Sequence, residues 1–200
     1  MAILVFIEQK GGLVRTVARE ALGEAVRLAA TLGGPVVGVC AAAADPGLAA
    51  LGEAGASELL LATHASFGHY EPAGYARAVV AAVEKVKPAV VLFSASAMGR
   101  DLAPRVAARL GVGLAADCTA LAVEGARLIA SRPVYAGKAV QRVAFTASVS
   151  AGTTSKASPT TPKSATLKMG ASGSLLIATM QRDDDIPARC WMAPEMATAT

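Results

Sequence analysis

The sequence predicts an α/β fold of three layers, in which an open and mostly parallel sheet is covered by helices on both faces. Continuous apolar runs such as residues 2–7 and 89–93 are typical of strands buried on both faces. Segments with helical periodicity follow these runs. The composition is 54% hydrophobic but only 4% aromatic, which favours packed α/β layers over a β-sandwich. Two hundred residues suit one domain, or one domain with an appendage.

The first part of the chain predicts a strand, a turn and a helix. Residues 2–7 form the strand, and Glu8 to Gly12 turn the chain. Residues 14–32 form the helix, because apolar side chains recur on one side of it. Glu24 and Arg27 stand at pairing distance on its wet side. Gly33-Gly34-Pro35 ends the helix.

The next segments repeat this alternation. Strands are predicted at residues 36–40, 58–62 and 89–93. Asp45-Pro46 begins a short helix, because Asp is a good cap and Pro suits the first helical position. Residues 63–70 form a loop, and Glu71-Pro72 opens a helix that reaches about residue 87. The resulting order of strands and helices implies right-handed crossovers in a parallel sheet.

The strand at residues 89–93 leads into a helix opened by Gly99-Arg100-Asp101. We place Asp101 in its first turn, where a carboxylate meets free N–H groups. Leu102, Val106 and Leu110 form its apolar stripe, and Gly111 and Gly113 end it. The turn before it lies at the carboxyl edge of the sheet, where such sheets bind ligands.

Gly99, Arg100 and Asp101 are therefore candidates for an anion site, because free N–H groups and a guanidinium converge at a helix start. The alternative, which we favour, is that Arg100 pairs with a carboxylate or with a partner chain while Asp101 caps its own helix. Catalytic residues and metal ligands are not assigned. The spacing of His64, His69 and Glu71 matches no usual zinc pattern.

Phosphate binding and nucleophilic catalysis have little support elsewhere. A dinucleotide-binding turn needs three spaced glycines, and only the adjacent Gly11 and Gly12 occur here, while Lys10 precedes them and does not fit a Walker motif. The pair is therefore better explained as a bare turn. Cys40, Cys118 and Cys190 are far apart and fit reduced thiols, of which Cys40 and Cys118 are predicted to be buried and structural. No serine stands in a nucleophile elbow.

The pattern changes after Gly113. Residues 114–123, 126–133 and 138–146 are short extended segments with glycine-containing turns, which predict one more strand and an antiparallel extension. Residues 148–168 are rich in Ser, Thr, Ala, Pro and Lys without period, which is typical of disorder. We therefore divide the chain into a domain at residues 1–146 and a low-complexity, disordered tail at residues 147–200.

The charge is mild and spread along the chain, at a net +4, and no basic stripe with interleaved aromatics appears. Nucleic acid is therefore not an expected partner. The first apolar run lacks a basic n-region and is too short to span a bilayer, so we expect a cytoplasmic protein without a membrane span.

Three blocks of the sequence resemble the amino-terminal domain of the electron transfer flavoprotein alpha subunit. They are residues 92–111, Ala116-Asp117-Cys118-Thr119, and Arg132-Pro133-Val134-Tyr135-Ala136-Gly137-Lys138-Ala139, in the family's order and spacing. The resemblance covers about residues 1–146. In that family a second domain follows and holds the FAD, but its glycine-rich flavin motifs have no counterpart here. The abrupt change motivates the hypothesis that the reading frame shifted near residues 146–150 and left a truncated alpha subunit.

The resemblance implies an electron carrier and not an enzyme. It implies a heterodimer with a beta subunit, which in the family binds AMP, and FAD that takes electrons from acyl-CoA-type dehydrogenases to a quinone oxidoreductase. This chain itself is expected to dock the beta subunit and to bind no FAD. The alternative is a small flavodoxin-like or universal-stress-type module, similar to the adenine-nucleotide hydrolases in fold, that binds AMP or ATP near residues 94–101. A hydrolase on the same scaffold would lack a nucleophile.

Overall fold

The computed structural model describes residues 1–124, 127–144 and 176–180. Up to residue 110 the strands at the apolar runs and the helices between them follow the predicted order, while the short strands within residues 9–14 and the strand at residues 176–180 were not predicted. The helices are α1 (Thr16–Leu32), α2 (Pro72–Val86) and α3 (Ala97–Leu110). The strands are β1 (Ile3–Phe6), β2 (Gln9–Lys10), β3 (Leu13–Val14), β4 (Val36–Ala42), β5 (Glu58–Thr63), β6 (Val90–Ser94), β7 (Gly113–Cys118), β8 (Ala120–Glu124), β9 (Arg127–Val134), β10 (Ala139–Ala144) and β11 (Leu176–Met180).

The main sheet has six strands in the order β5-β4-β1-β6-β11-β7, and every pair in it is parallel. From β1 the chain passes through α1 to β4, on one side of β1. From β6 it passes through α3 to β7, on the other side. The strand order therefore reverses between β1 and β6. This reversal makes the carboxyl ends of β1 and β6 the topological switch point of the sheet.

Two cores fill the space on the two faces of this sheet. On one face, Ile3, Val5 and Ile7 pack against α1 and against residues of β8 and β9. On the other, Leu4 and Phe6 pack against α2 and α3. Alternate residues of one strand serve opposite cores, because successive side chains of a strand point to opposite faces. The predicted three-layer α/β class is confirmed.

Local signals at the helix ends act largely as the sequence predicts. The Glu71 carboxylate accepts hydrogen bonds from the N–H groups of Ala73 and Gly74, and Pro72 is the first residue of α2. Gly111, with a φ of 66°, ends α3 in the left-handed region. Asp45 accepts from two backbone N–H groups, as a cap does, but the helix after it is a single 3₁₀ turn, Leu48–Leu51.

The start of α3 is a correction to the prediction. The helix begins at Ala97, and the Ser96 hydroxyl caps it by accepting from the Gly99 N–H at 3.1 Å. Asp101 therefore lies beyond the first turn and does not cap the helix. The apolar stripe gives the direction of a helical face but not its first residue, whereas Ser is among the strongest N-cap residues.

A second correction concerns residues 9–14, which the sequence assigned to a turn and to the first residue of α1. Gln9–Lys10 and Leu13–Val14 form a short antiparallel hairpin, and α1 begins only at Thr16. Gly11 and Gly12 form its two-residue loop with φ values of 60° and 77°. Two-residue hairpin loops need positive φ values of this kind, which glycine adopts without strain.

The antiparallel extension is confirmed as a three-stranded sheet in the order β10-β9-β8. Leu121, Leu128 and Ala130 of β8 and β9 join the core on the α1 side. The β9–β10 turn places Tyr135 and Ala136 at positive φ. Strand β10 forms the outer edge, and its residues 139–142 are exposed.

Strand β11 falls inside the range that the sequence assigned to a disordered tail. Its five residues pair with β6, from Leu176 opposite Val90 to Met180 opposite Ser94, and it also pairs with β7. For residues 176–180 the prediction of disorder is therefore wrong, because the partners of this strand lie far away in sequence. The rest of the predicted tail, residues 147–175 and 181–200, lies outside the described residues, and the division of the chain at residue 146 stays a prediction.

Candidate functional site

The switch point between β1 and β6 is the place where a sheet of this kind offers a crevice to a ligand. Glu8 follows β1 at this place, and Ser96 follows β6. The two side chains meet across the crevice, where the Ser96 hydroxyl donates to the Glu8 carboxylate at 2.6 Å. The Arg15 guanidinium, just before α1, donates to the other oxygen of the same carboxylate. Both oxygens of Glu8 therefore have partners within the chain.

Glu8 is almost completely buried, with 1% of its side chain exposed. A buried carboxylate without partners would be costly, so its hydrogen bonds are needed to hold it there. Arg15 binds it a second time, because the Arg15 backbone N–H donates to the Glu8 carbonyl at 2.9 Å. The carboxylate thus ties the end of β1 to the start of α1 and, through Ser96, to the start of α3.

Two further polar side chains near this edge are also satisfied internally. The buried Gln9 amide donates to the Ala41 carbonyl and to the Tyr75 hydroxyl, both at 3.2 Å. The Ser94 hydroxyl donates to the Val17 carbonyl at 2.8 Å. Burial raises the pKa of Tyr75, which stays protonated at neutral pH. These bonds link the short strand β2 to β4 and α2, and they link β6 to α1.

The three anion-site candidates lie at the start of α3 and are all engaged. The Gly99 N–H is taken by Ser96, and a Cβ at this position would stand 1.8 Å from the Ser94 carbonyl oxygen. Arg100 donates to Asp117 at 2.9 Å. This pairing agrees with one part of the alternative that the sequence favoured, while the other part, Asp101 as the cap of α3, is wrong because Ser96 caps the helix. Binding of an external anion by these residues stays a prediction.

Asp101 belongs to a separate cluster that joins the loop before α2 to α3. Its carboxylate accepts from the Tyr70 hydroxyl at 2.7 Å and from two nitrogens of Arg105, one turn further along α3. These hydrogen bonds, first from Arg105 and then from Tyr70, lower the pKa of Asp101. Burial, followed by the bond to Asp101, raises the pKa of Tyr70. The cluster connects two elements of the fold, and its hydrogen bonds share no residue with those of Glu8.

The remaining candidates carry no site chemistry within the described ranges. His64 accepts from the Ser66 N–H at 3.2 Å and caps a 3₁₀ turn, and Glu71 caps α2. Among the described residues no group of three or more metal-binding side chains occurs. Gly11 and Gly12 form the loop of the β2–β3 hairpin, which fits the interpretation as a bare turn.

Cys40 and Cys118 are buried free thiols, as predicted. Burial raises the pKa of each to about 12, so neither is a thiolate at neutral pH. Cys190 lies outside the described residues. The thiols therefore offer no nucleophile in this part of the chain.

The residues at the carboxyl edge do not fit the pyrophosphate of a flavin dinucleotide. Such a group needs free N–H donors or an available cation at a helix start. Here the Gly99 N–H bonds to Ser96, Arg15 bonds to Glu8, and Arg100 bonds to Asp117. The Glu8 carboxylate lies at the same edge and would repel a phosphate there.

Sequence reasoning missed the role of Glu8, which it assigned to a turn. The signal available was a carboxylate directly after a fully apolar strand, with a basic residue seven positions later. Its third member, Ser96, is 88 residues away in sequence. The pairing of Glu8 with Ser96 therefore depends on the order of the strands in the sheet.

Comparison with known proteins gives a consistent set of relatives. The family model described as electron transfer flavoprotein domain matches residues 3–178. Protein FixB of Clostridium saccharobutylicum is 37% identical over 144 residues, which are 71% of this chain and 43% of that protein. The alpha subunit of electron transfer flavoprotein from Thermoanaerobacterium thermosaccharolyticum is 39% identical over 137 residues, 68% of this chain and 42% of its own length.

The alpha subunit from Bacillus subtilis is 33% identical over 145 residues, 72% of this chain and 44% of its own length. The chain thus spans less than half the length of these relatives. A universal stress protein from Archaeoglobus fulgidus aligns with 52% of this chain and 87% of its own, at 16% identity and a TM-score of 0.37. Within the described ranges, no helix has the length and hydropathy needed to cross a bilayer.

Proposed function

Because the chain belongs to the electron transfer flavoprotein family, we propose that it serves as the amino-terminal domain of an alpha-type subunit and docks the beta subunit. The observation that carries this proposal is the family match over residues 3–178, with relatives named as alpha subunits along about 70% of the chain. In this role the protein is an electron carrier and not an enzyme. Its expected location is the cytoplasm, its electron donors are dehydrogenases of the acyl-CoA type, and its acceptor is a quinone oxidoreductase.

The β9–β10 hairpin is our candidate for the docking surface. Its turn lies in the block Arg132 to Ala139, which is one of the three that resemble the family. Tyr135 at the turn is 81% exposed and Val140 on the outer strand is 56% exposed. Large apolar side chains in an interface core contribute most of its binding energy, and aromatic ones are enriched there. Strand β10 also presents an outer edge that can accept a strand from a partner.

The docking test uses a beta subunit of the electron transfer flavoprotein family and measures complex formation by sedimentation velocity. Tyr135→Ala combined with Val140→Thr is expected to weaken binding at least tenfold, which corresponds to about 1.4 kcal/mol. Leu13→Ser is the matched control, because Leu13 is 72% exposed on the separate β2–β3 hairpin. Equal binding by the double variant and the unaltered chain would reject the hairpin as the docking surface. No complex with the unaltered chain would reject the docking role itself.

FAD in this family would be held by residues outside those described, since the carboxyl edge does not fit it. When bound, FAD supplies the carrier with its one- and two-electron redox chemistry. We propose that the 200-residue chain alone binds no FAD. The test is the visible spectrum of the purified protein after incubation with FAD and gel filtration. Flavin absorbance near one equivalent per chain would refute this proposal.

Nucleotide binding by this chain is tested separately. Calorimetric titration with AMP, ADP and ATP is expected to give no heat of binding, because the switch point is bridged by Glu8 and its partners. AMP binding by the reconstituted heterodimer but not by this chain would assign the nucleotide to the beta subunit. Micromolar binding by the isolated chain would favour the small nucleotide-binding module instead.

A further inference from the structure

We infer that Glu8 is an internal anion that closes the switch point of the sheet, occupying the position that a ligand's phosphate or carboxylate would otherwise take. This role is independent of electron transfer. Glu8 also lies outside the three blocks of sequence that resemble the family. The ligand class is defined by what the carboxylate replaces, namely a small oxyanion.

Glu8 stands at the switch point itself. Strand β1 leads to β4 on one side and β6 leads to β7 on the other, so the crevice lies between the carboxyl ends of β1 and β6. Glu8 and Ser96 follow these two strands, and they hydrogen bond to each other at 2.6 Å. The bond therefore crosses the crevice.

The partners of Glu8 are chemically suited to other oxyanions as well. The Arg15 guanidinium and the Ser96 hydroxyl are donors to a carboxylate, and both would equally serve a phosphate. The Ser96 hydroxyl in turn accepts from the Gly99 N–H, which couples the carboxylate to the positive end of α3. An oxyanion at this position is thus supported by a cation, a hydroxyl and a helix start together.

The burial of Glu8 shows which part of the crevice it occupies. Only 1% of the Glu8 side chain is exposed, whereas the paired Arg15 side chain is 42% exposed. The carboxylate therefore fills the inner part of the crevice and Arg15 covers it from the solvent side. A nucleotide phosphate could reach Arg15 and Ser96 only by displacing the Glu8 side chain, which belongs to the chain itself.

Removal of the carboxylate is expected to create a vacancy that a free small anion can fill. Glu8→Ala should lower the melting temperature, since it leaves the Ser96 hydroxyl and the Arg15 guanidinium without their acceptor. Formate is the probe, because it carries the same carboxylate in the smallest form. At about 100 mM formate we expect at least half of the lost melting temperature to return, with a saturating dependence on concentration.

Three controls separate occupancy of the crevice from a general salt effect. Chloride at equal ionic strength is expected to give no comparable recovery in Glu8→Ala. Glu8→Gln keeps the volume filled, so we expect a loss of stability that formate does not reverse. Glu84→Ala removes an exposed carboxylate from α2 and is expected to respond to formate as the unaltered chain does.

The partners are tested in the same assay. Ser96→Ala added to Glu8→Ala should raise the formate concentration that gives half-maximal recovery severalfold, because the hydroxyl donor is missing. If Glu8→Ala is unfolded, recovery of its far-UV circular dichroism in formate becomes the readout, and Glu8→Gln still reports the loss of stability. Glu8→Ala as stable as the unaltered chain would overturn the inference. So would recovery by chloride as large as that by formate, or recovery of Glu8→Gln.

Discussion

Gly99 offers a direct test of how the turn between β6 and α3 is built. A Cβ at this position would lie 1.8 Å from the Ser94 carbonyl oxygen, about 1.2 Å inside the 3.0 Å that real Cβ atoms respect. The neighbouring atom belongs to the backbone, so a side-chain rotation cannot relieve the clash. Gly99→Ala must therefore move the first turn of α3 away from β6, along with the Ser96 cap.

The magnitude follows from two opposing effects. Overpacking of this kind costs about 3 kcal/mol, the upper end of its usual range, because a backbone atom must move. Replacing a helical glycine with alanine returns about 1 kcal/mol through backbone entropy. The net loss is about 2 kcal/mol, which lowers the melting temperature of a chain of this size by about 4–8 °C.

Gly23→Ala is the matched control for this substitution. Gly23 lies in α1 and is exposed, and a Cβ added there would have no atom within 4 Å apart from its chain neighbours and the backbone of its own helix. Only the helix-propensity gain applies at this position, so we expect a rise in stability of about 0.5–1 kcal/mol. The two substitutions are thus chemically identical and are expected to change stability in opposite directions.

Urea denaturation followed by circular dichroism at 222 nm measures both variants against the unaltered chain. If Gly99→Ala proves as stable as the unaltered chain, α3 does not approach β6 as closely at Gly99 as the structure shows. If both variants gain stability, Gly99 would be an ordinary helical residue without a packing role. An equal loss in phosphate and in chloride buffer is expected, because the close approach involves no external anion.

Three further outcomes are expected. Tyr70→Phe should lower the free energy of unfolding by about 1 kcal/mol, because it removes the hydrogen bond to Asp101. The pKa of Asp101 is lowered in the folded state, so its stabilisation is present above its ordinary pKa and is lost as pH falls through the lowered value. Asp101→Asn should therefore make the urea midpoint less dependent on pH between about pH 2 and 6. Cys40 and Cys118 of the native protein should resist alkylation by iodoacetamide at pH 8, as measured by mass spectrometry, and rapid alkylation of both would contradict their burial. Because their pKa values of about 12 exceed the ordinary 9.0, their contribution to the free energy of unfolding should be complete below pH 9 and decline towards pH 12. Ile177→Pro should lower stability by about 1–3 kcal/mol, because β11 is paired on both sides and proline removes a ladder N–H; an unchanged melting curve would show that β11 is dispensable.

The local signals in the sequence were sufficient for most of the fold. Residues 2–7 and 89–93 could be identified as buried strands because a strand covered on both faces contains no polar side chains. Gly111 and Glu71 could be assigned to helix ends because their effects involve only the adjacent turn. These features depend on contacts within a few residues, which a pattern in the sequence contains in full.

The short pairs of strands could not be predicted in the same way. Strands β2 and β3 contain two residues each, too few to show any period. Strand β11 sits in a stretch whose composition suggests disorder, and it is defined by its pairing with β6 and β7. A strand in that position is held by neighbours from much earlier in the chain, so its own sequence carries only part of the signal.

The candidate site shows the same limit more sharply. Gly99, Arg100 and Asp101 were predicted because a helix start is visible in a sequence, yet each one is used inside the fold. Glu8 was not predicted because a charged residue after a strand is normally exposed. Its burial becomes intelligible only when the strand order places β6 beside β1, which brings Ser96 to its carboxylate. The strand order therefore determines which residue closes the crevice. With a different strand order, the same Glu8 would lie exposed in a surface turn.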